Sequence, residues 1–151
     1  MNSNLKSNAT AVYLISCVGK KEKQACRARE LYISDWFLKA LKYVEASGSH
    51  WFILSAEYGL VAPDRVIAPY DRTLNTMPIA ERRAWAQRVS KQIQDAMPRL
   101  SHVVILAGER YREFLANHLT ERGVVVSVPM EGLGIGERLS WLKQHSAPPL
   151  K

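Results

Sequence analysis

Residues 11–18, AVYLISCV, run directly into Gly19, Lys20 and Lys21, and their reading decides the fold. Their hydrophobicity is continuous rather than alternating, and branched and aromatic side chains dominate. A half-exposed strand alternates at every second residue, so an unbroken short apolar run predicts a strand covered on both faces, as in a parallel sheet. HWFILSA (50–56), HVVILA (102–107) and VVVSV (124–128) repeat the pattern.

Helical spacing separates these runs. In SDWFLKALKYVEASG, Ser34 is the expected N-cap, Asp35 suits the positive helix end, and Gly48 supplies a left-handed stop. Trp36, Phe37, Ala40, Leu41, Tyr43 and Val44 form its apolar stripe. Ala86, Val89, Ile93 and Met97 recur at helical spacing between Ile79 and Met97, with arginines, glutamines and a lysine opposite. In ERYREFLANHLTERG the stripe is Tyr111, Phe114, Leu115, His118 and Leu119, which reads His118 as a partly buried structural side chain, and Gly123 ends the helix. GERLSWLKQH predicts a last helix. The order β-α-β-(long loop)-α-β-α-β-α predicts a three-layer α/β/α sandwich with a mainly parallel central sheet of about four strands. One domain is expected over residues 1–151, with a disordered or extended tail at 1–10.

Leu14-Ile15-Ser16-Cys17 matches a lipoprotein cleavage pattern, but only Ala11, Val12 and Tyr13 lead into it, against the roughly 7–15 apolar residues that export requires. No run reaches the roughly 20 apolar residues of a membrane span. A cytoplasmic location is expected. Two cysteines are too few for a disulfide framework, and no Cys/His set has zinc spacing, so Cys26 reads as an inert thiol. The 47% apolar content suits one compact core. A net charge of +7 makes a polyanionic partner the leading expectation, although any one basic cluster serves equally well as a solvated helix face.

Parallel crossovers bring every strand's carboxyl end to one edge, where ligands bind. Ser16, Cys17, Lys20 and Lys21, then Glu57, Tyr58 and Gly59, then Glu109 and Arg110, then Glu131 all leave strands there. The 23-residue stretch from Tyr58 to Ala80, with Pro63, Pro69 and Pro78, reads as a long ordered loop folded over that edge, anchored by Tyr70, Leu74 and Met77. Asp71 lies within it, either capping a turn or acting in catalysis. VGKK lacks the glycine spacing and the following Ser/Thr of a phosphate loop, and GLGIGE follows the last strand, so no nucleotide cofactor is expected. Cys17 beside two lysines suggests a nucleophile, but with no base in sight it reads better as packing.

LISCVGKK, A-x-E-L-Y-x-S-x-W-F (28–37), LSAEYGL (54–60), PYDRTL (69–74) and GLGIGERLSWL (132–142) together resemble a small prokaryotic family of formerly unknown function, over Val12 to Leu142. That family is similar to the uracil-DNA glycosylase fold and to the archaeosine synthase core. The resemblance implies an antiphage DNA glycosylase that removes modified bases, such as a glucosylated hydroxymethyl-pyrimidine, and leaves an abasic site. The GQDPY-like and HPS-type motifs of ordinary uracil-DNA glycosylases are missing, which argues against uracil.

The residues suit such chemistry. Breaking an N-glycosidic bond builds positive charge on the sugar and negative charge on the base, calling for a carboxylate and a cation. Asp71 is the leading carboxylate, with Glu57 and Glu131 behind it, and Lys21 or Lys20 would meet the leaving base or a phosphate. Tyr58 and Tyr70 would stack on an extruded nucleotide, with Tyr32 and Ser34 lining the pocket and Arg110 on its basic rim. No metal or cofactor is called for. A base-modifying transferase acting on RNA and a non-catalytic nucleic-acid-binding module are the alternatives.

Overall fold

The computed structural model describes residues 11–16 and 19–146. The chain runs β1 (Val12–Ser16), β2 (Cys26–Arg27), α1 (Ala28–Leu31), α2 (Asp35–Ser47), β3 (Trp51–Ser55), β4 (Gly59–Val61), β5 (Val66–Ile67), a 3₁₀ turn (Leu74–Thr76), α3 (Ile79–Ala96), β6 (His102–Leu106), α4 (Glu109–Glu121), β7 (Val125–Ser127) and α5 (Ile135–Ser146). The expected tail at 1–10, and Cys17 with Val18, lie outside the described residues.

All four predicted strands form and run parallel. They join a fifth, β4, in a sheet of order β4-β3-β1-β6-β7, in which β4 alone is antiparallel. The continuous hydrophobicity of β1 follows from its central place. Val12 and Leu14 enter a core shared with α3 and α4, while Ile15 enters a second core shared with α2 and α5. The same division runs along β3 and β6: Leu54, Val103 and Ile105 go one way, and Ile53, Val104 and Leu106 the other. Two helices on each face complete the three layers.

The helix signals act as their chemistry requires. The Ser34 hydroxyl accepts the Phe37 N–H at 3.3 Å, and Gly48 closes α2 at φ 71°. Apolar residues of α2 and α5 pack together with one face of the sheet, including Phe37, Ala40, Val44 and Leu142. No helix among the described residues is long and apolar enough to cross a membrane.

The stretch from Tyr58 to Ala80 is ordered, as expected, but it is not a simple loop. Its first part pairs with β3 as β4, and Val66–Ile67 pairs with Cys26–Arg27 in a separate two-stranded sheet. The energetics explain why. Burying Leu74 completely stabilises by about 2 kcal/mol. Ordering each backbone residue costs about 1–2 kcal/mol. One apolar anchor cannot hold so long a segment, so backbone pairing, Leu74, Met77 and Tyr70 hold it jointly. Pairing was missed because runs of two or three residues have no period to detect.

Gly59 is a correction. The sequence put it among the substrate-binding residues, but it is buried at φ 78° as the first residue of β4. A Cβ there would stand 2.3 Å from Gln92 Oε1. That oxygen accepts the Leu60 N–H at 2.9 Å, so a side chain at position 59 would push the flexible Gln92 amide off this bond, and the positive φ favours glycine as well. Gly59→Ala should lower stability by about 2–3 kcal/mol, from left-handed strain and a lost hydrogen bond. Urea denaturation measures it, and a loss below about 0.5 kcal/mol would remove this role.

Tyr43 supplies a pH test. Its ring meets Tyr13 edge-on at 5.9 Å and Trp141 at 5.2 Å, and burial, then Tyr13, pushes its phenol from 10.0 up to about 12. The folded state thus holds the proton that the unfolded chain releases first. This contribution is whole below pH 10 and is lost as the pH rises towards about 12. Tyr43→Phe should flatten the fall in stability over that window. An equally steep fall in the variant would show that Tyr43 does not titrate there.

Candidate functional site

Neighbouring strands β1 and β6 send their chains to opposite faces of the sheet, β1 towards α2 and β6 towards α4. That divergence opens a crevice at the carboxyl edge, the usual ligand position in open α/β sheets. Two indoles finish the strand ends. Trp36 of α2 donates its Nε1–H to the Ser16 carbonyl at 2.8 Å, and Trp85 of α3 donates to the Ser55 carbonyl at 2.9 Å. Ser16 and Ser55 are themselves buried. The Ser55 hydroxyl accepts the N–H groups of Glu57 and Tyr58, turning the chain sharply out of β3.

Beyond β1 the chain forms a narrow hairpin. The Lys20 carbonyl accepts the Ile33 N–H at 3.0 Å, and the Glu22 N–H donates to Leu31 at 2.8 Å. Lys21 therefore stands opposite Tyr32 in an antiparallel bridge. Its ammonium lies 4.4 Å from the Tyr70 ring centroid and 5.8 Å from that of Tyr32. The two tyrosine hydroxyls bond each other at 2.7 Å, and Tyr58 meets Tyr70 edge-on at 5.6 Å. Three predicted tyrosines and a predicted lysine thus form one cluster. Asp71 and Glu57, both exposed, are chain neighbours of Tyr70 and Tyr58. The loop carrying Asp71 is pegged on its far side, where the Tyr111 hydroxyl accepts the Leu74 N–H at 3.3 Å.

A second group occupies the crevice beside β6. Trp36, Leu106, Arg112, Met130, Glu131 and Arg138 are among its lining residues, around about 240 Å³ of atom-free space that includes the open mouth. The centre of a water molecule can move through only about 10 Å³ of it, room for about one water. Arg112 is mostly buried, and its Nε–H has no hydrogen-bond partner among the described residues. An unsatisfied buried donor costs about 1–3 kcal/mol. Its NH1 is 3.7 Å from the exposed Glu131 carboxylate, too far for a good hydrogen bond. Arg138 Nε donates to the Leu133 carbonyl at 2.9 Å.

The predicted residues therefore divide. Lys21, Tyr32, Tyr58 and Tyr70 meet directly, while Glu131 faces Arg112 in the neighbouring crevice. Ser34 caps α2 close to Gly19, where a Cβ would stand 3.7 Å from that of Ser34. Lys20 is exposed. Arg110 is exposed on the first turn of α4 and is not among the residues lining the crevice, whereas Arg112, two residues on, is. The helical rotation of about 200° between residues two apart is the reason. Arg112 and Arg138 were missed as site residues because they looked like ordinary surface charge.

Several of the basic residues are internally paired. Arg82 is buried, donates to the Met77 carbonyl at 3.2 Å and forms an ion pair with Glu113, so it is no part of a solvated face. Arg29 pairs with Glu45, and Arg27 with Glu30 and Asp64. Burial, then Glu30 and Glu22, pushes the Cys26 thiol upwards, which makes it a poor nucleophile. Among the described residues no group of three His, Cys, Asp or Glu side chains is placed to hold a metal ion.

The tyrosine cluster makes a local prediction. Tyr70→Phe keeps the ring under Lys21 and loses only the hydroxyl bond, costing about 1 kcal/mol, whereas Tyr70→Ala removes both and should cost more. Amide exchange across residues 66–74 should quicken selectively in the alanine variant. Unchanged protection there would mean that the cluster does not hold the loop.

No curated protein and no solved structure matches the chain at a level that marks a relative. A model of a family of unknown function matches residues 12–144, which takes in every strand and helix described above but for the last two residues of α5, and the chain belongs to that family, DUF6884.

Proposed function

We propose that the protein is a metal-independent DNA glycosylase that hydrolyses the N-glycosidic bond of a modified base, with a glucosylated hydroxymethyl-pyrimidine of phage DNA as the substrate class, acting in the cytoplasm in antiviral defence. The observation that carries this reading is the Lys21 ammonium set over Tyr70 and beside Tyr32, against the loop that bears Asp71. The resemblance of LISCVGKK and PYDRTL to glycosylase-related sequences adds to it.

Each residue then has a task. An extruded base needs an aromatic surface, which Tyr58 and Tyr70 offer. As the C–N bond breaks, its electron pair leaves with the base, and Lys21 stabilises that negative charge. Asp71 stabilises the positive sugar and orients a water molecule. The water oxygen bonds to the sugar carbon and its proton ends on the base, giving a free base and an abasic site.

The test is incubation with genomic DNAs of differing base modification, scored by mass spectrometry for released base and abasic sites. Asp71→Asn should slow release by about 100-fold or more with folding and DNA affinity unchanged. Full activity in that variant removes Asp71 from the mechanism. A mass-shifted base in RNA would replace the proposal with a transferase, and intact polymer throughout would replace it with a binding module.

A further inference from the structure

We infer that the crevice beside the carboxyl end of β6 is a phosphate-binding subsite, formed by Arg112 and Arg138 against the wall of Trp36, with Glu131 holding the place of the anion until a ligand displaces it. The inference depends on the glycosylase reading only for the source of the phosphate, a nucleic-acid backbone, and not for its existence.

Three observations carry it. Two arginines from different helices, α4 and α5, line one small space at the sheet's switch point. The Arg112 guanidinium is mostly buried, with its Nε–H unpartnered among the described residues. A structural arginine so buried is normally fully bonded, as Arg82 of the neighbouring helix α3 shows with its carbonyl and Glu113. Finally, Glu131, the only acid among the described residues that line the crevice, stands 3.7 Å from Arg112 with its own side chain 66% exposed. It can swing into water at little cost.

Phosphate suits the donors better than a carboxylate. It offers oxygens in three dimensions, so guanidiniums approaching from two helices can both bond to it, and arginine forks match it bidentately. The crevice now has room for about one water, so the exposed Glu131 must leave before a phosphate enters. Arg138, tied through Nε to Leu133, keeps its terminal nitrogens outside that bond.

The experiment titrates the full chain with inorganic phosphate at constant ionic strength, followed by NMR. Glu131→Gln removes the competing anion and should tighten binding several-fold. Arg112→Lys, which keeps the charge but loses the fork, and Arg138→Gln should each weaken it by about tenfold. Arg88→Gln, the same charge change on exposed α3 surface, should do nothing, and Asp71→Asn should leave phosphate affinity intact. Base release lost with phosphate binding kept therefore separates this subsite from the proposed chemistry. Should Arg112→Lys fail to fold, the variants at exposed Glu131 and half-buried Arg138 decide. Wild-type affinity in both, or equal binding of acetate, overturns the inference. A second arm measures binding of a single-stranded oligonucleotide against salt. A slope shallower by about 0.7 in Arg138→Gln marks a backbone phosphate as the source. An unchanged slope alongside weakened phosphate binding marks a free phosphate or mononucleotide.

Discussion

Strand β1 has a parallel neighbour on each side and an apolar core on each face, and the rest of the architecture depends on that constraint. A strand so enclosed has no route to solvent except through its ends. Its carboxyl end therefore has to deliver polar chain at the point where the flanking connections part. The Ser16 carbonyl, last of the strand, accepts the indole N–H of Trp36. The same arrangement recurs at Ser55 with Trp85 from the other helical layer. Each indole thus joins a helix to a strand end and fixes the rim on which the candidate site is built.

Electrostatics on this molecule is more local than its net charge implies. Arg27, Arg29 and Arg82 are committed to nearby carboxylates, and Lys39 and Lys91 pair one helical turn away with Asp35 and Asp95. Exposed pairs of this kind contribute little stability, but they lower the field the surface projects. The cations that matter are those withdrawn from such pairing. Lys21 faces aromatic rings, and Arg112 has only a distant carboxylate. Both lie at the carboxyl edge of the sheet.

The fold was legible because its signals are strong and redundant. Four apolar runs, Ser34, Gly48 and Gly123 each mark an element through a separate mechanism, and all agree. The short pairings escaped notice, since Gly59–Val61 and Val66–Ile67 acquire strand geometry only from partners elsewhere in the chain. For the site, sequence reasoning found Lys21, Tyr32, Tyr58 and Tyr70, because position after a strand end or within a proline-rich loop is visible in one dimension. Choosing between Arg110 and Arg112 requires the rotation of α4 about its axis, and Arg138 requires the docking of α5. Neither is encoded in local spacing.

The small β2–β5 pairing ties the two walls of the tyrosine cluster to each other. The hairpin after β1 and the segment before Tyr70 share its ladder, and the Ala28 and Arg29 N–H groups reach across to Arg65 and Pro63 at 2.8 and 2.9 Å. Neither wall can swing outward without tearing bonds that belong to the other. Any opening of the cluster would then be a single concerted latch movement with one relaxation rate, rather than two flaps breathing independently.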